Sequence, residues 1–119
     1  MCPGNDQSRG KRRSGKTTKG NPWLRAALIE AAHAAGRTKN TYLSAQYRRL
    51  ASRRGKKRAA VAVGHTILVI AYHLLQRSYG YEELGGDYFD KRDRQGVERR
   101  LVWRLEGLGY KVSLDPVAA

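Results

Sequence analysis

The residues with the clearest chemical potential are two serines, Ser8 and Ser14, in the basic, glycine-rich stretch CPGNDQSRGKRRSGKTTKGNPWLR. A serine hydroxyl becomes a nucleophile when a base or an electrostatic environment activates it. No base adjoins either serine in the sequence, but Arg9, Lys11 and the arginines at 12–13 lie beside Ser8. Such cations can hold a scissile phosphate and stabilise charge developing on it. The stretch has three interpretations: a disordered basic tail, a phosphate-binding loop, or the flank of a reactive serine.

The same stretch satisfies the spacing of a P-loop, because residues 10–17 read GKRRSGKT. A P-loop also needs a buried strand before it and a helix directly after it. Only a few polar residues precede Ser8, and no helical pattern starts directly after Thr17. We interpret the match as a coincidence of a loop rich in glycine and lysine.

Net charge indicates the class of partner. The chain has 119 residues and a formal charge of +14. Residues 1–81 hold 17 basic and 2 acidic side chains, whereas residues 82–119 hold 7 basic and 8 acidic ones. Basic residues concentrated in one part of a small domain are typical of proteins that bind nucleic acid. The sequence therefore predicts a polyanionic partner, DNA or RNA, for the first two-thirds of the chain.

A second basic cluster surrounds the junction of two predicted helices near Gly55. A charged run of this kind is usually a solvated helix face, but no acid occurs between Glu30 and Glu82 to offset the repulsion. We therefore expect contact with the phosphate backbone, which carries no base specificity. The residues of this predicted face are Arg48, Arg49, Arg53, Arg54, Lys56, Lys57 and Arg58.

Helical spacing and capping residues predict an all-α fold. Asn21-Pro22 starts a first helix that Gly36 ends, because Asn is a good cap and Pro fits the first helical position. Thr38 or Asn40 caps a second helix, and Gly55 ends it. The predicted second to fourth helices span residues 41–54, 56–77 and 90–108, with one further turn around 81–84. The fold class is a small bundle of three to four helices.

The domain organisation follows from these elements. Residues 1–20 form a flexible basic arm carrying the candidate serine, residues 21–114 the helical domain, and residues 115–119 a tail. The apolar helix 56–77 is expected to be a buried core helix rather than a membrane span, because polar residues interrupt it. No membrane partner is expected. A single cysteine, Cys2, excludes a disulfide within the chain and fits a reducing cytoplasm.

No metal site is expected within the chain. His33, His65 and His73 have no cysteine or carboxylate at ligand spacing, so packed core histidines are the simpler interpretation. Acidic residues recur at positions 87, 90 and 93, but basic residues are interleaved with them. Acids that complement a helix N-terminus explain this pattern.

Three longer segments resemble one protein family. They are the opening stretch, TYLSAQYRRLASRRGKKRAAVAVGHTILVIAYHLL, and YFDKRD followed by ERRLVWRLEGLGYKVSL. Together they closely resemble the C-terminal part of the insertion-sequence one-ten transposases, which are grouped with one-sixteen and nine-oh-two. The likeness runs from residue 2 to residue 114, in order and without large gaps.

The resemblance implies a serine-type, RNA-guided transposase that forms homo-oligomers. In this family an N-terminal RuvC-like nuclease domain holds Mg²⁺ with four acidic ligands. A C-terminal domain carries a serine, in a Pro-x(4)-Ser-x-Gly-Lys-like context, that attacks a DNA phosphate and forms a phosphoserine link. A bridge RNA pairs with donor and target DNA. The nuclease domain is expected to be missing here, because no residues of this chain correspond to its four acids; Mg²⁺ would belong to that domain.

Residue by residue, Pro3, Ser8, Gly10 and Lys11 match the family's serine context. The resemblance therefore makes Ser8 the candidate nucleophile, with Ser14 as the fallback. It also implies a set of phosphate-binding residues around the serine: Lys11, Arg12, Arg13, Lys19 and Arg25.

The function expected from the sequence is DNA transposition, as the C-terminal serine domain or a truncated copy of an insertion-sequence transposase. This part would bind DNA and guide RNA, in the cytoplasm and in association with the nucleoid. Two alternatives stay open: a nucleic-acid-binding helical domain without chemistry, and a decayed transposase remnant.

Overall fold

The structure is a computed structural model that describes residues 1–2 and 4–117. The chain divides into two compact units, Met1–Asp87 and Tyr88–Ala119. The first contains a hairpin of β1 (Asp6–Ser8) and β2 (Lys11–Ser14) and three helices, and the second contains two helices. In chain order the helices are α1 (Pro22–Arg37), α2 (Tyr42–Arg54), α3 (Lys56–Arg77), α4 (Tyr88–Arg92) and α5 (Arg94–Gly107). The predicted fold class, a small mostly helical domain, is confirmed.

The helices α1 and α2 begin at N-cap residues whose side chains accept hydrogen bonds from the free backbone N–H groups of the first turn. Asn21 Oδ1 accepts from the N–H groups of Trp23 and Leu24 at 3.0 and 3.1 Å, as predicted for the start of α1. For α2 the predicted caps were wrong, because Thr41 is the N-cap. Thr41 Oγ1 accepts from Ser44 N–H at 3.2 Å and Ser44 Oγ accepts from Thr41 N–H at 3.3 Å. This reciprocal pair satisfies two donors, which neither Thr38 nor Asn40 does.

Small residues bring α1 and α3 close together. Ala32, Ala60 and Val63 form the buried centre of the first unit. A Cβ on Gly64 would lie 3.3 Å from the Leu28 carbonyl oxygen, so the α3 backbone runs directly against α1 there. Larger side chains from α1, α2 and α3 pack around this centre: Ile29, Leu43, Tyr47 and Ile67.

The predicted bounds of α3 are confirmed, but the expectation that its whole length is buried was wrong. Its buried residues are Ala59, Ala60, Val63 and Gly64, all in the first half. A bond from Gln46 Nε2 to Thr66 Oγ1, with the α2–α3 junction at Gly55, shows that α2 runs back along α3. The 13 residues of α2 cannot cover the 22 residues of α3. By length and composition alone α3 is also apolar enough to cross a membrane, a property that core helices of soluble proteins share.

The N-terminal arm is more ordered than its sequence predicts. β1 and β2 pair antiparallel, with Ser8 opposite Lys11. Between them Arg9 and Gly10 both have positive φ, 51° and 74°, which suits a two-residue hairpin turn. The Thr18 N–H donates to the Cys2 carbonyl at 3.0 Å and closes the base of the arm. Residues 1–20 therefore contain a hairpin rather than loop alone.

The segment after α3 is a loop fastened to α2. The predicted turn around 81–84 is not helical. Instead Glu83 Oε1 accepts from Tyr42 N–H at 2.5 Å and from Gly85 N–H at 3.0 Å. The Tyr42 N–H bond is the first cause that holds the pKa of Glu83 below its ordinary value. The carboxylate is thus used at the N-terminus of α2, where its charge is favourable.

The second unit has little buried surface of its own. The predicted helix 90–108 is divided at Asp93, whose Oδ1 accepts from Gly96 N–H at 3.2 Å and caps α5. This agrees with the expectation that the acids near position 90 serve a helix start. Neither α4 nor α5 has a buried residue, and Trp103 is 75% exposed.

Candidate nucleic-acid interface

A groove of about 1180 Å³ lies in the first unit between the N-terminal arm and the helices. Its walls carry cations from opposite sides. The arm and the start of α1 supply Arg12, Lys16 and Arg25, and the α2–α3 junction supplies Arg54, Lys57 and Arg58. All six side chains are exposed. The groove therefore presents two basic walls that face a common space.

One face of α3 forms the junction wall and the floor. Lys57, Val61 and His65 are spaced by four residues, as are their neighbours Arg58, Ala62 and Thr66, and all six line the groove. Residues four apart lie one above another on a helix, so both rows share one face. Along this face the character changes from basic, through apolar, to polar.

Local hydrogen bonds hold the arm wall in place. Arg25 Nη1 donates to Thr17 Oγ1 at 2.6 Å, which ties the arm to α1. The Lys16 N–H donates to Ser14 Oγ at 3.2 Å and bends the chain after β2. A Cβ on Gly4 would overlap the Lys16 carbonyl, so only glycine permits this close approach. These contacts place Lys16 and Arg25 on the same wall.

The groove is strongly positive because no carboxylate lines it. None of its six cations forms an ion pair within the described part of the chain, in contrast to Arg94, which pairs with Glu98 in the second unit. Like charges on facing walls repel one another, and a bound polyanion removes that repulsion while releasing its counterions. The electrostatics suit a chain of phosphates.

A polar pair ends the floor of the groove. Gln46 Nε2 donates to Thr66 Oγ1 at 2.9 Å, and Thr66 Oγ1 donates to the Ala62 carbonyl at 3.2 Å. Gln46 Oε1 is buried and accepts no hydrogen bond within the described residues. The pair thus leaves one acceptor unsatisfied, an uncommon state for a buried amide.

The two candidate serines lie on the hairpin and do not line the groove. Ser8 ends β1 opposite Lys11, and its hydroxyl makes no hydrogen bond within the described residues. The Ser14 hydroxyl accepts the Lys16 N–H and is already engaged. Pro3, the first residue of the serine context, lies outside the described residues. The hairpin also argues against a P-loop, because residues 11–14 are themselves a strand.

The structure separates the cations that the sequence placed together. Arg12 and Arg25 of the proposed phosphate-binding set line the groove, as do Arg54, Lys57 and Arg58 of the junction cluster. The others are exposed and do not line the groove: Lys11, Arg13, Lys19, Arg48, Arg49, Arg53 and Lys56. Sequence reasoning missed Lys16, Gln46 and His65. The four-residue spacing from Lys57 to His65 was the available signal for His65.

The histidines were expected to pack in the core, and this was wrong for two of them. His33 Nδ1 lies 3.3 Å from the Tyr47 hydroxyl in the partly buried interior. His65 is exposed in the groove, and His73 is exposed with its ring against Tyr72. Both lie on faces of α3 that α1 and α2 leave open.

The described residues do not fit a Mg²⁺ site. Within them no group of three or more His, Cys, Asp or Glu side chains lies close enough to hold a metal ion. We therefore assign no metal-dependent step to these residues.

Comparison with known proteins gives one family. Residues 1–48 match the family model of the IS116/IS110/IS902 transposases. The match supports the family and a role in transposition. It covers the hairpin, α1 and the start of α2, and hence the arm wall and Gln46. No curated protein and no solved structure matches the chain.

Proposed function

We propose that the first unit binds the sugar-phosphate backbone of DNA in the groove, as part of a protein that acts in transposition. The observation that carries this proposal is the pair of facing basic walls without a carboxylate between them. Phosphate contacts of this kind position a nucleic acid without reading its sequence. The family match supports DNA as the bound nucleic acid, since transposition requires a protein that binds DNA.

The junction provides a matched test. Arg54 and Lys57 line the groove, whereas their neighbours Arg53 and Lys56 are equally exposed at the same helix ends but do not. The groove variant carries Arg54→Gln together with Lys57→Gln. The control variant carries Arg53→Gln together with Lys56→Gln. Both remove two positive charges, so they differ only in position.

The measurement is fluorescence anisotropy of a labelled DNA over a salt series. The groove variant should bind about tenfold or more weakly and flatten the dependence of log K on log salt by about 1.5, because two phosphate contacts are lost. The control variant should keep most of that slope. Equal losses in both variants would show that total charge, not the groove, holds DNA.

We propose Ser8 as the nucleophile of a covalent step, because its hydroxyl makes no hydrogen bond to the residues that the structure describes, while that of Ser14 accepts the Lys16 N–H. The Ser8 oxygen would lose its proton to water and bond to a DNA phosphorus. One phosphorus–oxygen bond of the strand would break, and the released oxygen would take up a proton. Lys11, opposite Ser8, would stabilise charge on the phosphate.

A denaturant-resistant protein–DNA adduct tests this step. The adduct should form with the unmodified chain, survive with Ser14→Ala and disappear with Ser8→Ala. A complex that denaturant dissolves completely in every case would contradict the covalent step for this chain, while the anisotropy result would still decide DNA binding. The bridge RNA, the homo-oligomer and the partner nuclease domain with its Mg²⁺ are further proposals that rest on the family resemblance.

A further inference from the structure

The floor of the groove differs from its walls, and this difference bears on what the groove accepts. Between the cations lie Val61 and Ala62, followed by the exposed imidazole of His65. A phosphate gains nothing from apolar side chains and an imidazole face. A nucleobase does, because every base has a flat face that stacks on histidine and other planar groups.

The unsatisfied Gln46 Oε1 favours the same occupant. Phosphates carry acceptors, so a carbonyl oxygen beside one would be repelled. Bases carry N–H donors on their exposed edges, and these edges are free for contact when the strand is unpaired. Gln46 Oε1 is the one buried side-chain acceptor that the described residues leave without a partner, and a base donor would satisfy it after the amide turns toward the groove that Gln46 lines.

The size of the groove suits one strand better than a duplex. A space of about 1180 Å³ cannot enclose B-DNA, so a duplex would present no more than one of its backbones to the groove and would keep its bases stacked away from the floor. The lined face of α3, from Lys57 to Thr66, is about 14 Å long at the rise of an α-helix. That length matches about two to four nucleotides of one strand.

We propose that the groove takes one unpaired DNA strand, with its phosphates between the two basic walls and a base on the floor formed by Val61, Ala62 and His65. This inference rests on the proposed DNA binding and adds the form of DNA that is bound. His65 is then a base-stacking residue, and Gln46 a hydrogen-bonding residue at the edge of the floor.

The experiment compares a fluorescein-labelled single strand of about twelve nucleotides, longer than the groove needs, with a hairpin duplex of the same sequence and with the RNA strand. The protein is the full chain, alone and as His65→Ala and His73→Ala. Both histidines are exposed on α3, but only His65 lines the groove, so His73→Ala is the matched control.

We expect the single strand to bind about tenfold more tightly than the duplex, and His65→Ala to weaken single-strand binding about tenfold without changing its salt slope. His73→Ala should leave both unchanged. This inference would be overturned if the duplex bound as tightly as the single strand or more tightly. DNA binding by the groove would still stand if the Arg54 and Lys57 double variant bound more weakly than its control. An RNA strand that binds more tightly than DNA would also overturn the inference, and no binding of any probe would reject the proposed function itself.

Discussion

The two halves of α3, residues 56–66 and 67–77, have equal length, but the second half is the more apolar and the less buried. Residues 56–66 carry every buried residue of the helix and one wall of the groove. Residues 67–77 are largely exposed, with Leu75 84% and Tyr72 61% accessible. Apolar content alone would predict the opposite order of burial, so what decides burial is the cover that α1 and α2 provide along the first half.

This difference explains why a binding surface lies where it does. The first half packs into the core through Ala60 and Val63, and the same half carries the groove residues Lys57 and Val61. The second half adds Ile67 to the edge of this packing and has no buried residue. Function is therefore expected to follow packing along α3 rather than hydrophobicity.

Two valines on the same helix provide the test with the largest effect on stability. Val63 is fully buried, whereas Val69 is 39% exposed. Val63→Ala should lower the free energy of unfolding by about 2 kcal/mol, because buried methyl groups are lost and a cavity remains. Val69→Ala should change it by no more than about 0.5 kcal/mol, since alanine favours the helix and little burial is lost.

Urea unfolding followed by far-UV circular dichroism measures both variants under one protocol. Because the helix and the substitution are the same, the difference between the two values isolates burial. Similar losses from both valines would mean that the second half of α3 is covered as well, and the contrast between the halves would no longer hold.

Much of the first unit could be predicted because its signals are local. Asn21-Pro22 and Gly55 mark helix ends through their own backbone chemistry, and α3 begins and ends where its sequence indicates. The cluster of cations at the α2–α3 junction was visible for the same reason. Local signals failed at Thr41, where two adjacent threonines and an asparagine offer competing caps.

The groove itself could not be predicted, because it depends on contacts between distant residues. The arm returns to α1 through Arg25 and Thr17, and Met1 packs against Gly64. Neither contact has a periodic signature in the sequence. Without them Lys16 and His65 would not line one groove. Likewise, residues 67–77 are exposed because α2 is too short to cover them, and the sequence of α3 itself does not indicate this.

The smallest expected effect concerns the loop that follows the exposed half. Glu83 fastens this loop to the N-terminus of α2, and the Tyr42 N–H bond holds the pKa of the Glu83 carboxyl below its ordinary value of 4.5. A carboxyl whose pKa is lower in the folded state stabilises the fold above its unfolded pKa, and that stabilisation is lost as the pH falls through the folded pKa. Because Glu83 is almost fully exposed to solvent, the contribution is small.

Glu83→Gln replaces the carboxylate by an amide, whose oxygen can still accept the Tyr42 N–H bond, and removes the negative charge. The variant therefore isolates the electrostatic part of the contact. Near neutral pH the variant should show faster amide hydrogen exchange in residues 67–77 than the unmodified chain, with residues 56–66 unchanged. The difference should disappear once the pH falls through the folded-state pKa of the Glu83 carboxyl, which the Tyr42 N–H bond holds below its ordinary value. Equal acceleration in both halves of α3 would mean that Glu83 supports the whole bundle, and a difference that persists in acid would assign the effect to shape rather than charge.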